Sequence, residues 1–178
     1  MKAFAAALLI LVAACGAGRV IFNVDVQSFM AGTGKDQIPY AIPPASSGSA
    51  STFQRIILPG GLGNSIVDTV RITTGNADLN NSAGTGTIGF AFYFAADSAG
   101  TTTAAPALSI APANVSGTNT TSVAISGDLS STVNDLFTRD TLWIRISAVG
   151  NNAGATPVTG TGVITALVLR VIVEDKVF

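Results

Sequence analysis

The amino-acid sequence predicts an all-β domain, an antiparallel β-sandwich of Ig-like or jelly-roll-like type with one short helix. Three features carry that expectation. Apolar and polar residues alternate with a period of two in several segments, which puts the apolar set on one face of a half-buried strand. Those segments recur at short intervals, separated by Gly-, Ser-, Thr-, Asn- and Pro-rich stretches that read as turns. Helical spacing of apolar residues is confined to a single short stretch, so no layer of helices is on hand to cover a sheet. The chain has 178 residues and is 48% hydrophobic. Only 11% of residues are charged, against about 25% in an average soluble domain. That length and apolar content suit one domain of ordinary size, and no repeat or second composition regime divides it.

The first alternation is Val20, Phe22, Val24 and Val26, with Asn23, Asp25 and Gln27 on the opposite face. Gly32 to Ser51 follows, broken by Pro39, Pro43, Pro44 and Ser46-Ser47-Gly48-Ser49, and reads as a long polar excursion outside the core. A strand is expected over Thr52 to Leu58, stopped by Pro59-Gly60-Gly61, and another over Ile66 to Thr74 with Val70 and Ile72 inward and Thr69, Arg71 and Thr73 outward. Thr87 to Ala96 is the strongest strand: Ile88, Phe90, Phe92 and Phe94 share one face, while Gly89, Ala91 and Ala95 share the other. The phenylalanines predict the centre of the core. Small residues opposite them fit either close approach by another segment or open solvent.

Weaker strands are expected near Ala107 to Ala111 and Thr121 to Ser126. Ser131 to Phe137 is the one helix-like stretch, with Thr132 placed to cap it and Asp135 three positions on. Thr141 to Val149 and Gly162 to Val173 close the chain as two strands. Being consecutive, they are expected to pair antiparallel, with Leu142, Ile144 and Ile146 beside Leu169, Leu167 and Thr165 in the core. A membrane barrel fits poorly: stepping back by twos from Phe178 meets Lys176, Glu174, Ile172 and Arg170, which form no apolar lipid-facing stripe.

Ahead of the first strand stands a different kind of segment. Met1-Lys2 is a basic start, and Ala3 to Ala14 is an apolar run too short to cross a hydrocarbon core about 30 Å thick as a helix. It matches the hydrophobic region of a signal-peptide helix. The run ends Leu11-Val12-Ala13-Ala14-Cys15-Gly16, an aliphatic residue followed by small ones and then the chain's one cysteine. This resembles the lipobox of bacterial lipoproteins. The resemblance covers Met1 to about Gly16 and implies a signal peptide over 1–14, a lipidated anchor over 15–18 with acyl chains on Cys15, and a mature domain over 19–178. It further implies the bacterial cell envelope as location. Gly16 after the cysteine, not being acidic, favours the outer membrane. With Cys15 used for the anchor, no internal disulfide is expected.

The residues absent from the chain narrow its chemistry. With 9 Lys+Arg against 10 Asp+Glu there is no broad electropositive surface, so no nucleic-acid partner is expected. There is no histidine, which removes Ser-His-Asp and Cys-His nucleophile systems and Cys/His zinc sites. Gly60-Gly61-Leu62-Gly63 lacks the lysine of a phosphate-binding loop. Apart from Glu174-Asp175 at a strand end, the acidic residues are spread singly, without a spacing that would bring two together for glycoside chemistry. Asn76-Ala77-Asp78-Leu79-Asn80-Asn81 alternates oxygen ligands as calcium loops do, but Thr87 stands where the bidentate Glu belongs, and a polar inter-strand turn explains the composition. No catalytic residues, no metal and no cofactor are therefore expected.

The functional expectation is a membrane-anchored lipoprotein whose non-catalytic sandwich serves a structural, adhesive or protein-binding role, its partner another protein or a second copy of itself. The alternative is a surface module for carbohydrate or another small ligand, which would need exposed aromatics, and Tyr40, Tyr93 and Trp143 are the available Tyr and Trp residues. The expected pairing of the last two strands brings Trp143, Arg145, Val168 and Arg170 onto one outward face, making these four the candidate binding residues. Either the excursion over Gly32 to Ser51 or the short helix near Phe137 is placed to fold over that face.

Overall fold

The computed structural model describes residues 18–60 and 65–174. Cys15 and the rest of the proposed signal segment lie outside the described residues. Among the described residues nine strands form two antiparallel sheets. The first holds β1 (Arg19–Asp25), β2 (Gln37–Ile42), β4 (Ile66–Ala83), β7 (Asn119–Ala124) and β9 (Val158–Glu174). Its order is β1-β9-β4-β7, and β2 pairs with the other end of the β9 edge that β1 occupies. The second sheet has the order β3-β8-β5-β6, from β3 (Ser46–Ile57), β8 (Thr141–Asn152), β5 (Thr85–Ala95) and β6 (Leu108–Ser116). Read from β2 onward, the chain passes to the opposite sheet at every connection except β5 to β6, which is the jelly-roll arrangement of a β-sandwich.

Inward side chains of both sheets make one core. Ile38, Leu79, Leu169 and Val171 from the first sheet and Ile88, Phe90, Phe92, Leu142, Ile144 and Ile146 from the second are all essentially without solvent contact. The expected phenylalanine face is thus the core centre. At one end Leu129, Val133 and Phe137 plug the space between the sheets, with the Phe137 ring tilted against Phe94 at 6.4 Å between centroids. Register slips bend the long β4–β9 pair, with breaks between Val67/Thr69, Ile72/Thr74, Asn76/Ala77 and Asn81/Ala83. Each inserts an unpaired residue and resets which face the following side chains take.

Several expectations need correcting. The first alternation stops at Asp25, because its carboxylate accepts the Ser28 N–H at 3.2 Å and starts α1 (Val26–Ala31); Val26 and Gln27 are helical. The polar excursion contains core structure: Ile38, Tyr40 and Ile42 of β2 are buried, and β3 begins at Ser46. Prolines hid it, yet Pro39 is tolerated because β2 is an edge strand. Asn76 to Asn81 is β4 strand, and the turn comes at Gly84, whose φ of 80° suits glycine. The helical stretch is α3 (Ser130–Val133) plus a 3-10 turn (Asn134–Leu136), and Thr132 lies inside it, donating to the Leu129 carbonyl at 3.0 Å, so it is no cap.

The largest correction concerns the last two strands. β8 pairs with β3 and β5, and β9 pairs with β1, β2 and β4, so they lie in opposite sheets. The expected register of Leu142 to Ile146 against Leu169 to Thr165 does not exist. Two fully or nearly buried asparagines brace this crossing end. Asn152 presents its amide N–H groups to the carbonyls of Ile42, Pro43 and Thr156 at 2.8–3.1 Å and accepts the Gly154 N–H at 2.9 Å. Asn81 does the same for the carbonyls of Ala83, Gly84 and Gly117 at 2.6–3.2 Å.

Candidate functional site

Antiparallel register builds a platform on the outer face of the β3-β8-β5-β6 sheet. Along β8 the residues Leu142, Ile144 and Ile146 point inward, so Trp143, Arg145 and Ser147 point out. Trp143 stands between Arg55 and Ala95, Arg145 between Phe53 and Tyr93, and Ser147 between Ser51 and Ala91. Tyr93 and Trp143 therefore sit diagonally across two strands, within reach of large side chains. Trp143, Arg145, Tyr93 and Phe53 are all half-buried, and Arg55 is exposed.

Arg145 is held from three sides. Its guanidinium carbon lies 3.5 Å from the Tyr93 ring centroid, its Nε–H donates to the Thr101 carbonyl at 2.9 Å, and Nη1 donates to the Ser147 hydroxyl at 3.1 Å. Ser147 shares a 2.6 Å hydroxyl bond with Ser51 on β3. Thr101 belongs to α2 (Gly100–Thr103), a single turn lying against the outside of β5 and β8. Neither the Gly32 to Ser51 excursion nor the helix near Phe137 is the partial cover of this face; α2 is. Beside it, Gly89 lies so close to β6 that an added Cβ would meet the Ile110 carbonyl oxygen at 2.7 Å. Close approach, not open solvent, explains the small residues there.

The four expected binding residues are not together. Trp143 and Arg145 share the platform. Val168 and Arg170 are on the outside of the other sheet, Val168 beside Asp25 and Thr74, Arg170 beside Asn23 and Arg71. The sequence reading missed Phe53, Arg55 and the Arg145–Tyr93 contact, because β3 and β5 are far from β8 in the chain. Tyr93, named from the sequence only as an available aromatic, stands on the outward face with Ala91 and Ala95. Tyr40 is buried, donates to the Asn81 amide oxygen at 3.2 Å, and has its phenol pKa pushed up to about 12 by burial.

Several carboxylates are engaged locally. Arg19 bridges Asp68 and Glu174, and Arg71 pairs with Asp128 at 3.0 Å. Hydrogen bonds from the Ser130 hydroxyl and backbone, then from Arg71, hold Asp128 down at about 2. Asp97 accepts the Gly100 N–H at 2.7 Å. Among the described residues no group of three or more His, Cys, Asp or Glu could hold a metal ion. The oxygens of Asn76, Asp78 and Asn80 are strung along one strand face, roughly 7 Å apart per pair of residues, and do not converge on a point.

No family model and no curated protein matches the chain. Similar solved structures include a chain from infectious bursal disease virus, Gx strain, with 8% identity and a TM-score of 0.41, matched over 90% of this chain and 33% of that one. The chain therefore spans about a third of that viral chain's length. Another is TmCBM61 in complex with beta-1,4-galactotriose, with 15% identity and a TM-score of 0.30 over 84% of this chain and 86% of that one.

Proposed function

We propose that this chain is a lipid-anchored, non-catalytic module of the bacterial envelope that docks a protein partner on the face carrying Trp143, Arg145, Tyr93, Phe53 and Arg55. The observation that carries the reading is Trp143, half-buried on the outer face of the sheet beside a braced arginine. Trp, Tyr and Arg dominate the energetics of protein interfaces, and an arginine already held in place, as Arg145 is, loses little side-chain freedom on binding. The lipobox supports the anchor and the outer membrane. Acyl chains on Cys15 would be the contact with membrane lipid.

Capture from envelope extracts tests the docking face. The wild-type chain should retain a partner that Trp143→Ala and Phe53→Ser lose, with both variants still folded. Equal retention by wild type and variants would remove this face from consideration. The anchor has its own test: Cys15→Ser should release the chain from membranes or leave it unprocessed, and a wild-type protein found unlipidated would end the lipoprotein reading.

A second reading, a carbohydrate- or small-ligand-binding module, is favoured by the same geometry, since Tyr93 and Trp143 share one face. Quenching of Trp143 fluorescence by added oligosaccharide, without any protein partner, is the outcome that would prefer it.

A further inference from the structure

The outer face of the β2-β9-β4-β7 sheet is divided in two. Towards the start of β1 it carries charge: Arg19, Asp68, Glu174, Arg71, Asp128 and Arg170. In the half towards the β4–β5 turn the charges give way to hydroxyls and amides. Two complete rows cross all four strands there. One is Thr120–Asn80–Thr161–Pro39, the other Ser122–Asp78–Val163–Gln37. Alternate residues Ile38, Leu79 and Gly162 are buried, so both rows face outward.

These rows are ordered by bonds among themselves. The Thr120 hydroxyl donates to Asn80 Oδ1 at 2.8 Å, and the Ser122 hydroxyl donates to Asp78 Oδ1 at 2.6 Å. Next to them Asn76 Nδ2 donates to the Thr165 hydroxyl at 3.1 Å, and Ser82 and Thr159 share a 2.9 Å bond. What remains open is a fixed mixture of donors and acceptors. Asn80 Nδ2 and the Thr161 hydroxyl bond to no other described residue, while Asp78 keeps one oxygen and Thr120 its acceptor lone pairs. Exposed Pro39 and half-buried Val163 lay apolar surface beside these groups. Neighbouring groups stand about 4.8 Å apart across strands and roughly 7 Å apart along them.

We infer that this band is a binding face for a neutral polyhydroxylated chain, a polysaccharide. Each sugar hydroxyl both donates and accepts, so vicinal hydroxyls fit an array that offers amide N–H beside hydroxyl and carboxylate oxygen. The C–H faces of sugar rings fit Pro39 and Val163. An anionic polymer fits worse, because the charge within the two rows is Asp78 and no cation offsets it. The site is separate from the Trp143 platform, which lies on the other sheet, and it does not depend on the protein-docking reading. It supplies a ligand class and a different location for the carbohydrate reading.

Electrophoresis of the full chain in a polyoxyethylene detergent, through native gels containing dextran, pullulan or hydroxyethyl cellulose, tests it. At least one neutral polymer should retard the wild type, and Asn80→Ala combined with Thr161→Val should weaken retention about tenfold, with the melting temperature kept. Asp78→Asn, which keeps the shape and an acceptor, should weaken it less. No retardation in any neutral gel would overturn the inference, as would retardation by alginate alone. Retention lost in Trp143→Ala but kept in the Asn80/Thr161 variant would also overturn it, while leaving a sugar-binding platform on the opposite sheet.

Discussion

The Arg145 guanidinium covers the Tyr93 ring at 3.5 Å from its centroid, and the same group donates to the carbonyl of Thr101. One side chain thereby joins two central strands of a sheet to the turn of helix lying on them. A half-exposed cation–π contact is worth about 0.5–1 kcal/mol, and a hydrogen bond about as much. Arg145→Lys keeps the charge but loses the planar fork that makes both bonds at once. Denaturant melts should show a loss of about 1–2 kcal/mol for Arg145→Lys, with coupling to Tyr93→Leu of about 0.5–1 kcal/mol in a double-mutant cycle. Additive effects would mean that the stacking contributes nothing.

Adjacent residues on β5 should respond to different physics. Phe92 is 1% exposed in the centre of the core, so Phe92→Ala should cost about 3–5 kcal/mol by leaving a cavity. Ala91 points the other way yet is only 7% exposed, between Ser147 and Ser109. Ala91→Leu should therefore cost about 1–3 kcal/mol through crowding, where an open face would have tolerated it. Urea midpoints of the two variants and wild type decide it.

Asn81 is a stability hotspot that no apolar pattern marks. Its amide faces the carbonyls of Ala83, Gly84 and Gly117, and its oxygen receives the Tyr40 hydroxyl. Asn81→Ala leaves these groups unpaired in a buried place and should cost about 1–3 kcal/mol. Asn81→Asp should be worse above neutral pH, because a carboxylate would face carbonyl oxygens. Hydrogen exchange at Gly84 to Gly86 should accelerate in both.

Stability should fall at both extremes of pH for identifiable reasons. The Tyr40 phenol loses its proton near 10 in the unfolded chain but at about 12 in the fold, where burial favours the neutral form. Between those values the unfolded state is the more deprotonated, so stability drops as pH rises from about 10 to about 12. Tyr40→Phe should flatten that limb. Asp128 has the opposite sign. Its folded value of about 2 lies below the usual carboxylate value near 3.9, so its contribution is full above about pH 4 and is lost as pH falls towards 2. Exposure keeps that contribution small, and Asp128→Asn should remove it from acid melts.

Alternation within a segment was enough to read Phe90, Phe92 and Phe94 as core, Val70 and Ile72 as inward, Trp143 and Arg145 as outward, and the whole as an antiparallel sandwich. Those properties are local: a period of two and a buried face assign each side chain to one side, whatever strand lies alongside. Strands broken by proline, such as β2, or lengthened by bulges, such as β4, escaped because the pattern resets at each irregularity.

Pairing was the property that only the tertiary structure decided. Sequence periodicity fits an Ig-like and a jelly-roll sandwich equally, and says nothing about which apolar face meets which. In the folded chain β8 takes β3 and β5 as neighbours while β9 takes β4, across separations that no local signal spans. That choice separated Trp143 and Arg145 from Val168 and Arg170, put Phe53, Arg55 and Tyr93 beside the first pair, and aligned Thr120, Asn80, Thr161 and Pro39 in one row. The physical reason is that backbone hydrogen bonding between strands is almost blind to side-chain identity. Register and partner are chosen by the packing of the whole core and by the turns that buried Asn81 and Asn152 hold, and neither exists until the two sheets close on each other.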